Sequence, residues 1–188
     1  WASSNTSYAT VSSAGLVTAV ANGTATITAT SGSVNATATV TVGQAASSVT
    51  LLPTSKTFTA FGDTATVTPT VKDSGGTAMS GATVTWASSN TSYATVSSAG
   101  LVTAVADGSA TITATSGSAT KTASITVGQV ASSVTLSPTS KTFTSVGDTA
   151  TLAATVKDTG GNTISGATVT WASSNTSYAT VSSAGLVT

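Results

Sequence analysis

The chain has 188 residues, enough for about two modules of a common domain size. Only 5% of them are charged, against roughly 25% in ordinary soluble domains, and every charge is a lysine or an aspartate. Five of each cancel, with no His, Cys, Glu or Arg. That excludes disulfides, thiolate metal sites and a basic footprint for nucleic acid, and it leaves the serines without a usual catalytic base. No apolar run approaches the roughly 18 residues of a spanning helix, so no membrane insertion is expected in this segment.

The stretch WASSNTSYATVSSAGLVTAV fills residues 1–20 and 86–105, and its first part returns at 171–188. The period is 85 residues both times, the signature of a tandem array. Residues 1–103 differ from 86–188 at 18 positions, mostly mildly, as in Val40 against Ile125 or Asn22 against Asp107. The predicted domains are the C-terminal part of one module at 1–43, a complete module at 44–128, and the N-terminal part of a third at 129–188. Such a piece reads as a window cut from a longer array.

In chain order, residues 24–30 alternate with period two, the mark of a half-buried strand. Ser31, Gly32 and Ser33 turn the chain, and 35–42 alternate again with Ala36, Ala38, Val40 and Val42 on one face. Gly43-Gln44 and Gly128-Gln129 close successive modules. In the middle module a strand at 48–52 stops at Pro53, which cannot donate to a ladder. A short piece follows at 56–59. Residues 64–72 form the cleanest strand, where Pro69 argues for an edge or a bulge. Asp73-Ser74-Gly75-Gly76 is a turn. Further strands are expected at 82–87, 93–96, 101–105, 109–115 and 119–127, with turns at Ala99-Gly100 and Asp107-Gly108. There is no helical period, and the Thr and Val content disfavours helix. Short strands broken by glycine turns indicate an all-β sandwich or barrel.

One tryptophan per module (Trp1, Trp86, Trp171) is the expected core anchor. Around it in the middle module would lie Val49, Leu51, Phe58, Val67, Val71, Val84, Val96, Leu101, Val105, Ile112, Ile125 and Val127.

The runs VTWASSNTSYATV at 84–96 and GLVTAVADGSATITA at 100–114 resemble the bacterial Ig-like domain of group 2. So does the opening Val49-Thr50-Leu51-Leu52-Pro53, which returns at 134–138. The resemblance covers the whole period. It implies tandem Ig-like β-sandwich modules, strung on bacterial surface proteins and adhesins, where modules mostly act as spacers. The low charge departs from a generic solvated stalk and favours contact with other chains or glycosylation.

Several residue sets carry two readings. Asp63, Asp73, Asp107, Asp148 and Asp158 could hold calcium between modules or simply form turns. Turn formation is preferred, because no two are close in sequence and Asn22 replaces Asp107 in the previous copy. Lys56, Lys72, Lys141 and Lys157 could join an isopeptide crosslink with Asn90 or Asn175, or guard strand edges, which is preferred. The outward rows Thr64, Thr66, Thr68, Thr70 and Thr111, Thr113, Thr115 are candidates for O-glycosylation or lateral contact between chains, with ice binding disfavoured by sheet twist. Their plain reading is that threonine is a good polar strand residue. Asn5, Asn22 and Asn35 fit the N-glycosylation pattern. Tyr8, Tyr93 and Tyr178 are the candidates for a carbohydrate face, or for packing beside the tryptophan.

The expected function is structural. The chain reads as a repeat array of an extracellular bacterial surface protein, either a stalk or spacer or a filament-forming subunit, with no catalytic residue and no cofactor. The alternative is an extracellular filament or sheath whose modules contact neighbouring chains, and a weaker one is a carbohydrate-binding module. Expected partners are copies of itself or neighbouring modules, and glycans or a host surface through domains outside this sequence.

Overall fold

The computed structural model describes residues 1–188 and contains strands and turns without helix. Its two compact units are residues 1–49, 70–83 and 116–119, and residues 50–69, 84–115 and 120–188.

The first period contributes β1 (Ala2–Ser3), β2 (Ala9–Val11), β3 (Val17–Ala19), β4 (Gly23–Ser31) and β5 (Val34–Val42). The middle period contributes β6 (Ser48–Leu52), β7 (Ser55–Phe58), β8 (Thr64–Thr66), β9 (Thr68–Lys72), β10 (Thr85–Ser88), β11 (Ala94–Val96), β12 (Leu101–Ala104), β13 (Gly108–Ser116) and β14 (Ala119–Val127). The third contributes β15 (Ser133–Ser137), β16 (Ala150–Thr151), β17 (Ala153–Lys157) and β18 (Leu186–Val187). The helix-free expectation follows from composition: threonine, valine and alternating alanine suit a pleated, half-buried surface.

The first unit holds the β1-β4-β5 sheet and the β2-β3 hairpin. Ala9, Ala25 and Ile27 are buried there. In β5 no residue is fully buried, and Val34 is 67% exposed.

The second unit holds most of two sheets, ordered β10-β13-β14-β7 and β11-β12-β8. Strand β7 lies parallel to β14, with Phe58 opposite Val127. Its core comes from alternate residues of both sheets: Ala110, Ile112, Ala114, Ala123, Ile125 and Val127 from one, and Ala94, Val102 and Ala104 from the other. Leu51, Phe58, Ala60 and Val67 complete it. The expected strand at 64–72 breaks at Val67. Strand β8 pairs with β12, while β9 pairs with β6 in a two-stranded sheet that leaves Pro69 at an edge. The Val67 N–H donates to the Gly100 carbonyl (2.9 Å) where the chain changes sheets.

The structure corrects the expected core at β12. Leu101 and Val105 are 40% and 43% exposed, whereas Val102 is fully buried and Ala104 nearly so. The hairpin register sets this face, because Val102 lies opposite Val96 and Ala104 opposite the buried Ala94. Val84 and Val96 are half-buried. The tryptophans are less enclosed than expected. Trp86 and Trp171 are half-buried, and Trp1 is 59% exposed. Each ring lies flat over a turn glycine. A Cβ on Gly100 would meet Trp86 Cζ2 at 2.9 Å and collide with the Val67 carbonyl, and φ there is +78°. Only glycine fits both the space and the left-handed backbone.

Candidate functional site at the repeat junctions

The residues that recur at period and gather polar partners lie where one repeat gives way to the next. Strand β14 runs out into Gly128-Gln129, and that linker is hydrogen-bonded on both sides. Gly128 and Val130 donate to the Phe58 and Thr59 carbonyls (3.0 and 2.9 Å), and Ser132 donates to the Lys157 carbonyl (2.8 Å). The Gln129 main-chain N–H donates to Asp107 Oδ1 (2.8 Å) and its side-chain amide to Asp158 Oδ2 (2.9 Å).

Asp158 follows β17 and opens a tight turn. Its own N–H donates to the Asn162 carbonyl (2.9 Å), and Gly161 donates back to the Asp158 carbonyl (3.1 Å). Asp158 is 3% exposed. It accepts from Gln129, from the Phe61 N–H (3.2 Å), and from the Asn162 main chain (2.8 Å) and side chain (3.2 Å). Asn162 Nδ2 also donates to the Phe61 carbonyl (3.0 Å), so the turn grips the 59–61 loop by both of its backbone groups. A Cβ on Gly160 would come within 3.1 Å of that carbonyl. Burial disfavours the charge of Asp158, but the hydrogen bonds from Gln129, Asn162 and Phe61 outweigh it. They lower the carboxyl from 3.8 to about 2.

The earlier junction repeats the core of this arrangement. The Gln44 N–H donates to Asn22 Oδ1 (2.7 Å), and its side chain to Asp73 Oδ2 (2.8 Å). Ser47 donates to the Lys72 carbonyl (2.8 Å), and Thr77 N–H to Asp73 Oδ1 (2.8 Å). The Gln44 amide, with the Thr77 N–H, holds the Asp73 carboxyl below its ordinary value. The Asn22/Asp107 exchange is explained here, since either side chain offers the one oxygen the glutamine N–H needs.

These aspartates are therefore amide-bound. The acceptor positions of Asp158 face N–H donors, a poor setting for a hard cation, and no group of three or more His, Cys, Asp or Glu gathers in the chain. Asp148 accepts from Thr144 and Ser145 within its own turn. Lys56 Nζ lies 5.8 Å over the Phe58 ring. Tyr8 and Tyr93 stack against Gly23 and Gly108, where a Cβ would come within 2.7 Å of the ring, while Tyr178 is 88% exposed. Thr64, Thr66, Thr68, Thr70 and Thr111 are exposed, and Thr113 and Thr115 half-buried. Sequence reasoning used Gly-Gln only as a boundary and did not connect Gln44 with Asp73 or Gln129 with Asp158. The available signal was a glutamine followed 29 residues later by an aspartate in both copies.

Alternating strands, a tryptophan over a turn glycine and a recurring polar junction define a protein of tandem Ig-like sandwich repeats. The chain belongs to the bacterial Ig-like domain (group 2) family, which matches residues 1–42, 45–127 and 130–188. Among solved structures it is similar to the crystal structure of the S-layer protein rSbsC, at 28% identity over 86% of this chain and 23% of that one, with a TM-score of 0.44. It is also similar to domains 4 and 5 of the S-layer protein SbsC, at 30% identity over 68% of each chain and a TM-score of 0.42. A third similarity is to invasin, a bacterial integrin-binding protein, at 22% identity over 80% of this chain and 35% of that one, with a TM-score of 0.41. The chain thus spans less than a quarter of the first S-layer protein's length. No curated protein sequence matches it significantly.

Proposed function

We propose that the chain is a load-bearing spacer of a bacterial surface protein, in which folded Ig-like repeats are set at fixed spacing by hydrogen-bonded junctions. The modules are 1–43, 44–128 and 129–188, each a folding unit when complete, and the location is extracellular. One observation carries the reading: the same Gln–Asp bridge recurs at both junctions, at 2.8 and 2.9 Å. A flexible tether has no use for a buried carboxylate between repeats, whereas a spacer that transmits position does. The exposed threonine rows supply a neutral surface for O-glycans or for neighbouring chains. Binding of a host surface belongs to other domains, and the repeats act without cofactor or catalysis.

Backbone relaxation by NMR tests the spacer. Amides of residues 128–132 should be as ordered as the strands, with order parameters of about 0.85. Values below about 0.6 across the linker would mean a flexible tether and end the spacer reading. Surface location is checked by antibody labelling of intact cells; labelling only after permeabilisation would overturn it.

A further inference from the structure

Asn22 is the one asparagine of six that a glycine follows. The fold itself requires that glycine. At Gly23 φ is +149°, and a Cβ there would come within 2.7 Å of the Tyr8 ring stacked on it. The Asn22 side chain is exposed, and both ends of its amide meet one residue. Gln44 donates its main-chain N–H to Oδ1 (2.7 Å), and its side-chain Oε1 accepts from Nδ2 (3.5 Å). The junction does not need the amide nitrogen, because the complete middle period carries Asp107 at this position. Asp107 is exposed in the same way, and its Oδ1 takes the same bond from the Gln129 N–H (2.8 Å). An aspartate therefore fits a site where the sequence places an asparagine.

We propose that Asn22 is a site of spontaneous covalent modification, a deamidation in which the Gly23 nitrogen is the nucleophile and the Gln44 N–H polarises the carbonyl under attack. The Gly23 nitrogen gives its proton to hydroxide and bonds to Asn22 Cγ. Charge builds on Oδ1, where the 2.7 Å donor already sits, as in sites that stabilise an oxyanion. Nδ2 takes a proton from water, the Cγ–Nδ2 bond breaks, and ammonia leaves behind a five-membered succinimide. Glycine at 23 favours this closure, since a Cβ on the attacking residue would hinder it. Water then opens the ring. Opening at Cγ yields aspartate; opening at the main-chain carbonyl yields isoaspartate, whose backbone runs through Cγ. One water is consumed and one ammonia released, with no oxidant or reductant. The two products differ in effect. Aspartate keeps the acceptor for Gln44 and gives the first junction the form of the second. Isoaspartate lengthens the backbone where Gly23 pairs with Val42, and so disturbs the start of β4. Either product adds a negative charge to a chain whose net charge is zero. The inference goes beyond the spacer reading and does not depend on it.

Ageing the folded 188-residue chain in warm, mildly alkaline buffer tests it, with ion exchange to follow charge and peptide mapping by mass spectrometry to place the change. The expected result is a more acidic species altered at residue 22. It should form at least about tenfold faster than conversion at Asn5, Asn35, Asn90, Asn162 or Asn175, each followed by threonine or alanine. The folded chain should convert Asn22 within about tenfold of the rate of the same chain in urea, because the fold leaves the side chain exposed and its carbonyl polarised. Ammonia release should match the charge gain, and part of the product should accept methyl groups from an isoaspartyl methyltransferase. Asn22→Gln, whose longer side chain would have to close a six-membered ring, should remove the early acidic species. Asn22→Asp should fold like wild type, with the acceptor that Asp107 supplies in its own period, and should elute from the start as the acidic species. An Asn22 that stays an amide in the folded chain while the urea sample converts would overturn the proposal, as would conversion spread evenly over the six asparagines. Neither outcome bears on the order of the linker amides, so the spacer reading stands or falls separately.

Discussion

Asp158 shows how a single carboxylate can tie two repeats without a countercharge. Its oxygens receive four amide donor groups, the Gln129 side chain, the Phe61 main chain and both nitrogens of Asn162. Charge-assisted bonds of this kind are the stronger class, and water exclusion strengthens them further. Asn at 158 would keep the shape but turn an NH2 group toward the donors on Oδ2 or Oδ1, so Asp158→Asn should be less stable than wild type at neutral pH. The pH dependence follows from the sign of the shift. The folded carboxyl titrates near 2 and the unfolded one near 3.8, so folding favours the ionised form. Its contribution is complete above the unfolded value, declines as pH falls below it, and is lost once pH passes the folded value. Thermal melts of wild type and Asp158→Asn should therefore differ most above pH 4 and converge toward pH 2. A gap that stays constant across that window would show that the carboxylate does not do this work.

At the scale of strands, the sequence is legible where its two faces differ in chemistry. Residues 64–72 alternate threonine with apolar residues, and the structure exposes the threonines while burying Val67 and Val71. Pro69 marks the place where β9 sits at an edge. Strand β12 offers no such contrast. Leu-Val-Thr-Ala has apolar residues on both faces, so alternation alone cannot choose between Leu101 and Val102; a one-residue shift exchanges them. The hairpin with β11 makes the choice by setting Val102 opposite Val96. Substitution separates the two positions sharply. Val102→Ala removes methyl groups from a fully buried site and should cost about 2 kcal/mol. Leu101→Thr changes a 40% exposed side chain and should stay within roughly 0.5 kcal/mol. Chemical denaturation of both variants checks this, and the reverse ranking would mean that β12 presents its other face. The junctions were illegible for a different reason. Gln129 and Asp158 are 29 residues apart, with β15 and β17 between them, so no local period joins them. Only the return of the same spacing at Gln44 and Asp73 points to a tertiary pair.

For the whole molecule, repeat energetics sum terms within modules and terms between neighbours, and these terms are unequal along the chain. In β13 and β14, Ile112 and Ile125 are essentially inaccessible. The equivalent hairpin β4–β5 keeps Ile27 buried, but Val40 and Val42 are only half-buried and Val34 is largely exposed. Each large apolar side chain fully buried stabilises by about 1.5–3 kcal/mol, so two or three incompletely buried residues separate the hairpins by several kcal/mol. Local opening scales with that difference, at tenfold for each 1.4 kcal/mol. Amides of β5 in this 188-residue chain should exchange with solvent at least about a hundredfold faster than those of β14, although the two strands are equally long and nearly identical in pattern. Equal protection would mean that hairpin hydrogen bonding, rather than side-chain burial, sets the stability of each repeat.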